Sequence, residues 1–229
     1  MADIVELTGS IFDSKCQTIV NTVNCKGYMG KGLALEFKYR FPDMFEEYKA
    51  QCMIGEITTG KLTLWNKSTP FIINFPTKDD WKFHSKIEYI ETGLQYFVEH
   101  CKAWGITSIA FPKLGTNQGK LDWLDVKTLL FDYLEDLDLK VEIYEFNEKF
   151  QDKLFISLMT KIKGMPLQYY IDRVGLYPQK AVIFKDAVDD NSILSFYSIQ
   201  KLPGLGEKSI EKIYAFALKK SEFIQTQLP

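Results

Sequence analysis

The run IVNTVNCKGYMGKGLALEFKYRFP, residues 19–42, gathers residue types that can hold an anion and a sugar side by side. Its first part is short and β-branched. In its second part Leu33, Leu35, Phe37 and Phe41 recur at roughly helical spacing, which predicts a strand, a glycine loop and a helix. Gly27, Gly30 and Gly32 then lie where loop amides and the positive end of a helix dipole converge, an arrangement suited to phosphate or pyrophosphate. Asn21 and Asn24, just upstream, can offer amide hydrogen bonds to hydroxyls, so the chemistry points to a sugar next to a phosphate. The spacing fits neither G-x-G-x-x-G nor a Walker loop ending in G-K-[ST], which argues against a generic dinucleotide or P-loop site.

The elements that must position these residues follow from periodicity. Strands are predicted at 3–8, 18–23, 61–66, 71–75, 108–112 and 140–146, and helices at 31–40, 43–52, 86–103 and 122–136. This alternation predicts a three-layer α/β/α domain with a mixed, mostly parallel sheet and a ligand at the carboxyl ends of its strands. Four loops should meet there: GSIF, NTVNCKGYMGKG, NFPTKDDWKFHSK and PKLGTNQGKLDW.

Composition sets the outer limits. A chain of 229 residues, 46% hydrophobic, has room for one large domain or for a medium and a small one. Four cysteines without C-x-x-C spacing and two histidines predict no zinc site, and no metal or cofactor is expected. The expectation is a soluble cytoplasmic protein with reduced thiols and no membrane partner, since neither a leader-like start nor an apolar run of spanning length appears. The charge of -2 is uneven: residues 151–229 carry 11 Lys and Arg against 8 Asp and Glu, and the rest carry 17 against 22.

Taken together, the four loops resemble the macrodomains, and most closely their DarG-type branch, whose members remove ADP-ribose from DNA bases. The motifs that carry the resemblance are IVNTVN, MGKG-L-A-x-x-FK, NFPTK-x-x-W and LG-x-x-x-G-x-LDW, across residues 3–146. The resemblance implies a macrodomain at 1–148 that binds ADP-ribose or an ADP-ribosylated macromolecule, DNA in this branch, with a cognate ADP-ribosyltransferase as partner. Gly9, Ser10 and Ile11 would lie near the adenine. Asn21 and Asn24 would bind the distal ribose, and Gly27, Met29, Gly30, Lys31, Gly32 and Thr77 would line the phosphates and ribose. Gly115, Thr116, Asn117, Gln118 and Gly119 would close over the opposite side. Phe146 is either a face for the adenosine or a core aromatic.

The same resemblance implies that Lys78 is catalytic. A lysine desolvated beside other cations can attack an anomeric carbon as a neutral amine, or act as proton donor or charge stabiliser at the leaving base. Two departures are visible: Ser10 replaces the usual Asp of the first motif, and Thr116 and Asn117 replace a Cys and a Gly of the last loop. They keep open a non-catalytic ADP-ribose reader and a hydrolase acting on ADP-ribosylated protein. In a protein-directed branch a catalytic Asp aligns with Gly119, whose presence favours DNA.

Residues 149–229 form the expected small helical domain. Within it 192–219 resembles a helix-hairpin-helix, with LPGLG as the hairpin. Gly204 and Gly206 would aim amides at a DNA phosphate, with Lys201 and Lys208 adding charge. The segment MPLQYYIDRVGLYPQKAVIF reads as helical filler or linker.

Overall fold

A computed structural model describes residues 1–219; residues 220–229, the end of the expected C-terminal domain, lie outside the described residues. The chain divides into two compact units, Met1–Asn147 and Glu148–Pro229.

In the first unit, strands β1 (Asp3–Gly9), β2 (Thr18–Asn24), β3 (Thr63–Trp65), β4 (Phe71–Lys78), β5 (Ser108–Pro112) and β6 (Lys140–Phe146) form one sheet in the order β1-β6-β5-β2-β4-β3. All neighbours pair in parallel except β3, which runs antiparallel to β4 at the edge. The five parallel strands therefore end at one rim, where the four loops emerge. Period-two alternation sends Val20, Ile73 and Phe75 to one face and Ile19, Val23 and Ile72 to the other. The first face packs on α3 (Ile87–His100) and α4 (Trp123–Leu134) through Ile90, Leu94, Phe97, Val126 and Leu130. The second packs on α1 (Gly32–Arg40) and α2 (Pro42–Met53) through Phe37, Met44 and Tyr48. This is the expected three-layer sandwich. Strands buried on both faces read as nearly continuous apolar runs, which is why they were visible in sequence.

One boundary differs in a way that matters. The expected strand 71–75 continues through Pro76 and Thr77 to Lys78. Its pairing with β2 runs Asn21↔Asn74 and Val23↔Pro76, then shifts to Asn24↔Lys78, leaving Thr77 as the extra residue of a bulge. Proline has no N–H to give to the ladder, so the strand tolerates it where pairing is interrupted. The expected strand 61–66 shrinks to Thr63–Trp65 because only those residues have partners on β4.

The second unit holds α5 (Lys153–Ile162), α6 (Leu167–Asp172), α7 (Pro178–Asp189), α8 (Phe196–Lys201) and α9 (Glu207–Leu218). The stretch read as filler supplies α6 and the start of α7. A core of Phe155, Leu158, Tyr170, Phe184, Phe196 and Tyr214 organises it, the last two rings stacked at 4.2 Å.

Helix α3 approaches β4 closely at Gly93, where a Cβ would stand 2.3 Å from the fully buried Phe75 ring. Alanine at position 93 gains about 1 kcal/mol of helix propensity, yet overpacking a core costs about 1–3 kcal/mol. Gly93→Ala is expected to lower stability by about 1–2 kcal/mol in urea unfolding; an unchanged or raised midpoint would show that Phe75 moves aside freely.

Candidate functional site

The rim is built from the inside outwards. Asn21 is fully buried, and its Nδ2 donates to the Asn74 Oδ1 at 3.0 Å and faces the Met29 Sδ at 3.8 Å. It therefore ties β2 to β4 and to the glycine loop. Asn24 is also turned inwards: its Nδ2 donates to the Tyr28 carbonyl at 2.6 Å and its Oδ1 accepts from the Lys26 amide at 2.9 Å. Both asparagines hold the loop in shape, a role their residue type alone could not distinguish from ligand binding.

From this frame the loop rises to α1. Met29 is buried, whereas Gly30 and Gly32 are half-buried and Lys31 is exposed. Gly32 opens the helix at φ +58, with nothing within 4 Å of a Cβ built there. A side chain would be strained by that backbone, and the open space above it leaves room for a ligand against the amides. Lys31 makes no side-chain cap, so the first-turn N–H groups point towards that space without a side-chain partner from the cap.

On the next strand Lys78 ends β4. Thr77 beside it is buried, whereas the Lys78 Nζ reaches across to donate to the Gln118 carbonyl at 2.6 Å. The last loop is thus drawn onto the end of β4. It is further closed by the Ser85 amide donating to the Gly119 carbonyl at 3.0 Å and the Leu121 amide donating to the Gly115 carbonyl at 3.1 Å. Gly119 is so tightly held that a Cβ would stand 2.1 Å from the Gly115 carbonyl oxygen. Thr116, Asn117 and Gln118 remain at the surface of this loop.

At the far end of the rim, Gly9 and Phe146 are paired across β1 and β6, and the Phe146 ring is 45% exposed. It is not a core aromatic. Ile11 points into the core, while Ser10 caps the short 3-10 turn Ile11–Asp13, its Oγ accepting from the Phe12 amide. Of the residues expected at the site, the structure brings Asn24, Gly30, Lys31, Gly32, Lys78 and Gly115–Gly119 to neighbouring strand ends, and buries the side chains of Ile11, Asn21, Met29 and Thr77.

These loops can be compared with known proteins. The Macro domain model matches residues 20–130. The structure superposes on the macrodomain of Mycobacterium tuberculosis DarG with a TM-score of 0.61 and 39% identity, covering 63% of this chain and 98% of that one. The chain belongs to the macrodomain family. It is also 42% identical over 138 residues to the DNA ADP-ribosyl glycohydrolase of M. tuberculosis, covering 57% of this chain. A Thermosipho africanus fusion of a DNA ADP-ribosyl transferase with a DNA ADP-ribosyl glycohydrolase is 38% identical over 156 residues, covering 59% of this chain. The chain spans about two fifths of the length of these two curated relatives, 39% and 40%. A solved T. africanus DarTG in complex with ADP-ribose superposes with a TM-score of 0.60 and 35% identity, over 66% of this chain and 43% of that one.

Sequence reasoning missed Lys120 in this macrodomain. It follows Gly119 with φ +66, a left-handed conformation that costs a non-glycine residue about 1–2 kcal/mol. The closing bond from Leu121 to Gly115 imposes it. Burial, first, and the Lys120 charge, second, hold the Lys78 amine below the ordinary lysine value. The only signal in the sequence was a lysine directly after the second glycine of a G-x-x-x-G loop.

Removing the neighbouring cation makes the charged form of Lys78 easier to keep, so Lys120→Gly should raise the Lys78 pKa while burial still holds it below normal. After reductive methylation with carbon-13 formaldehyde, the Lys78 signal is expected to titrate below the ordinary lysine value, and to move upward in the variant. An unmoved titration would show that the two charges do not feel each other.

Proposed function

We propose that this macrodomain removes ADP-ribose from an ADP-ribosylated DNA base, acting in the cytoplasm on a modification made by a cognate ADP-ribosyltransferase. The observation that carries the reading is the Lys78 amine, partly desolvated at the end of β4 and set between the α1 glycine loop and the last loop. In the reaction the bond from the anomeric carbon to the base breaks; water supplies a hydroxyl to the carbon and a proton to the base. Either Lys78 as a neutral amine attacks that carbon as the bond to the base breaks, and water then hydrolyses the carbon–Nζ bond to free the lysine, or Lys78 as an ammonium protonates or steadies the leaving base while water attacks the carbon. Its lowered pKa raises the neutral fraction near neutral pH, which favours attack.

The amides at Lys31 and Gly32 with those of the last loop would hold the pyrophosphate, and Phe146 beside Gly9 would face the adenosine. The names of the relatives support DNA as the substrate. So does Gly119: an Asp at this position, the residue implied for protein-directed relatives, does not fit the loop as it is closed here. The relative fused to a DNA ADP-ribosyl transferase supports the partner. Four free cysteines fit a reducing compartment.

The second unit is assigned to sequence-independent DNA contact on its own features. Helices α8 and α9 flank a turn in which Gly204 takes φ +86 and Gly206 precedes α9. Lys201 lies over the Tyr197 ring at 4.1 Å, and the Lys180 Nζ donates to the Gly204 carbonyl at 2.6 Å. Lys180 therefore brings α7 to the turn.

Lys78→Ala is expected to remove most release of ADP-ribose from an ADP-ribosylated oligonucleotide while leaving affinity for free ADP-ribose, measured by calorimetry, within a few-fold. Parental turnover in the variant would sink the assignment. Release from ADP-ribosylated protein and not from DNA would move the substrate to protein, and binding without any release would make the chain a reader. Separately, Lys201→Glu with Lys208→Glu should weaken binding to unmodified duplex DNA and make its salt dependence shallower. A few phosphate contacts give a slope near two or three, at about 0.9 per contact. An unchanged slope would leave the turn as a structural corner.

A further inference from the structure

Resting on the DNA reading above, we infer that Tyr28 and Trp81 form a stacking platform for an unpaired nucleobase of the strand that carries the ADP-ribosyl group. Their rings meet at 5.3 Å between centroids, tilted by 40°, and each side chain is about half exposed, 54% and 50%. Two large aromatic residues paired at the surface forgo burial that a purely structural pair would take up.

Both rings are placed by residues already tied to the site. The Tyr28 carbonyl accepts from the Asn24 Nδ2, and the Tyr28 ring lies across Gly30 so closely that a Cβ there would stand 2.2 Å from it. Trp81 follows Lys78 by three residues, on a turn held by the Lys82 amide to the Asp80 Oδ1 and the Phe83 amide to the Asp80 carbonyl. The platform thus links the glycine loop to the turn that follows β4, three residues beyond Lys78. It is far from Phe146: the sheet order sets β4 three steps from β6, and neighbouring strands are about 4.8 Å apart, so the separation is about 14 Å. ADP-ribose laid along the rim with its adenosine at Phe146 would bring its other ribose, and the base attached to it, to the Tyr28–Trp81 end.

The surroundings suit a DNA strand. The Lys82 Nζ stands 5.4 Å above the Trp81 ring, and Phe83 nearby is 67% exposed. The acidic groups of the turn are partly engaged, Asp79 with Lys26 at 3.3 Å and Asp80 with the Lys82 amide. Aromatic faces flanked by cations accept any unpaired base with little regard for sequence.

The test uses the full chain and a single-stranded oligodeoxynucleotide, unmodified or ADP-ribosylated. Adding the unmodified strand should quench tryptophan fluorescence in the parent, and Trp81→Phe should abolish that quench. On the modified strand Trp81→Ala should lower kcat/KM by tenfold or more, chiefly through KM, whereas Trp81→Phe keeps most of it because a ring remains to stack. Free ADP-ribose affinity should stay within about twofold in both. Parental kcat/KM in Trp81→Ala, or no quench in the parent, would overturn the platform. If the parent releases no ADP-ribose from the modified strand, the hydrolase reading fails, and the quench alone then decides the platform: its loss in Trp81→Phe sustains it, and its persistence refutes it.

Discussion

The site depends on how β4 ends against β2. The two strands pair in parallel through Val23 and Pro76, and the register then slips by one residue so that Lys78 stands opposite Asn24. In an unslipped ladder Thr77 would hold that place. The bulge needs a residue that gives up its ladder hydrogen bond, and proline has none to give. Beyond it the Cys25 amide donates to the Asp79 carbonyl at 3.0 Å and the pairing resumes. Lys78 is thereby fixed at both sides by backbone, although its long side chain is free to reach the next loop. Bulges commonly re-aim side chains at functional rims, and here the re-aimed group is the amine.

Two buried contacts keep this strand end in place. The Asn21–Asn74 pair sits in register across β2 and β4 and is joined by one side-chain hydrogen bond within the sheet. Breaking it would leave polar groups without partners in an apolar layer, which costs more than the bond itself contributes. On the opposite face, Phe75 packs on α3 and fixes the height of β4 over the helix layer. Polar specificity on one face and close packing on the other hold Lys78 within a narrow range of positions.

The last loop contributes through geometry more than through side chains. Gly115 and Gly119 permit a turn so tight that the carbonyls of 118 and 119 point at β4 and at Ser85. The Gln118 carbonyl accepts a hydrogen bond from the Lys78 Nζ, and Lys120, held in a left-handed conformation, adds a second cation beside it. One carbonyl and one cation pull the amine in opposite electrostatic senses, and burial together with the Lys120 charge holds its pKa below the ordinary lysine value.

The sequence by itself determined the layer order, because strands buried on both faces and helices buried on one leave different periods in the chain. It also determined which loops meet, since parallel strands end at one rim, and it singled out Lys78 by resemblance. Tertiary structure decided which polar residues face the rim and which serve the frame. Asn21 and Asn24 look like ligand groups by type, and folding also gives their side-chain amides partners within the chain, at Asn74 and at the Tyr28 carbonyl. It decided too that Lys120 bears on Lys78 across 42 residues of sequence. Hydrophobic period is a local property that a chain carries in one dimension; the fate of a buried hydrogen-bonding group depends on what folding sets beside it.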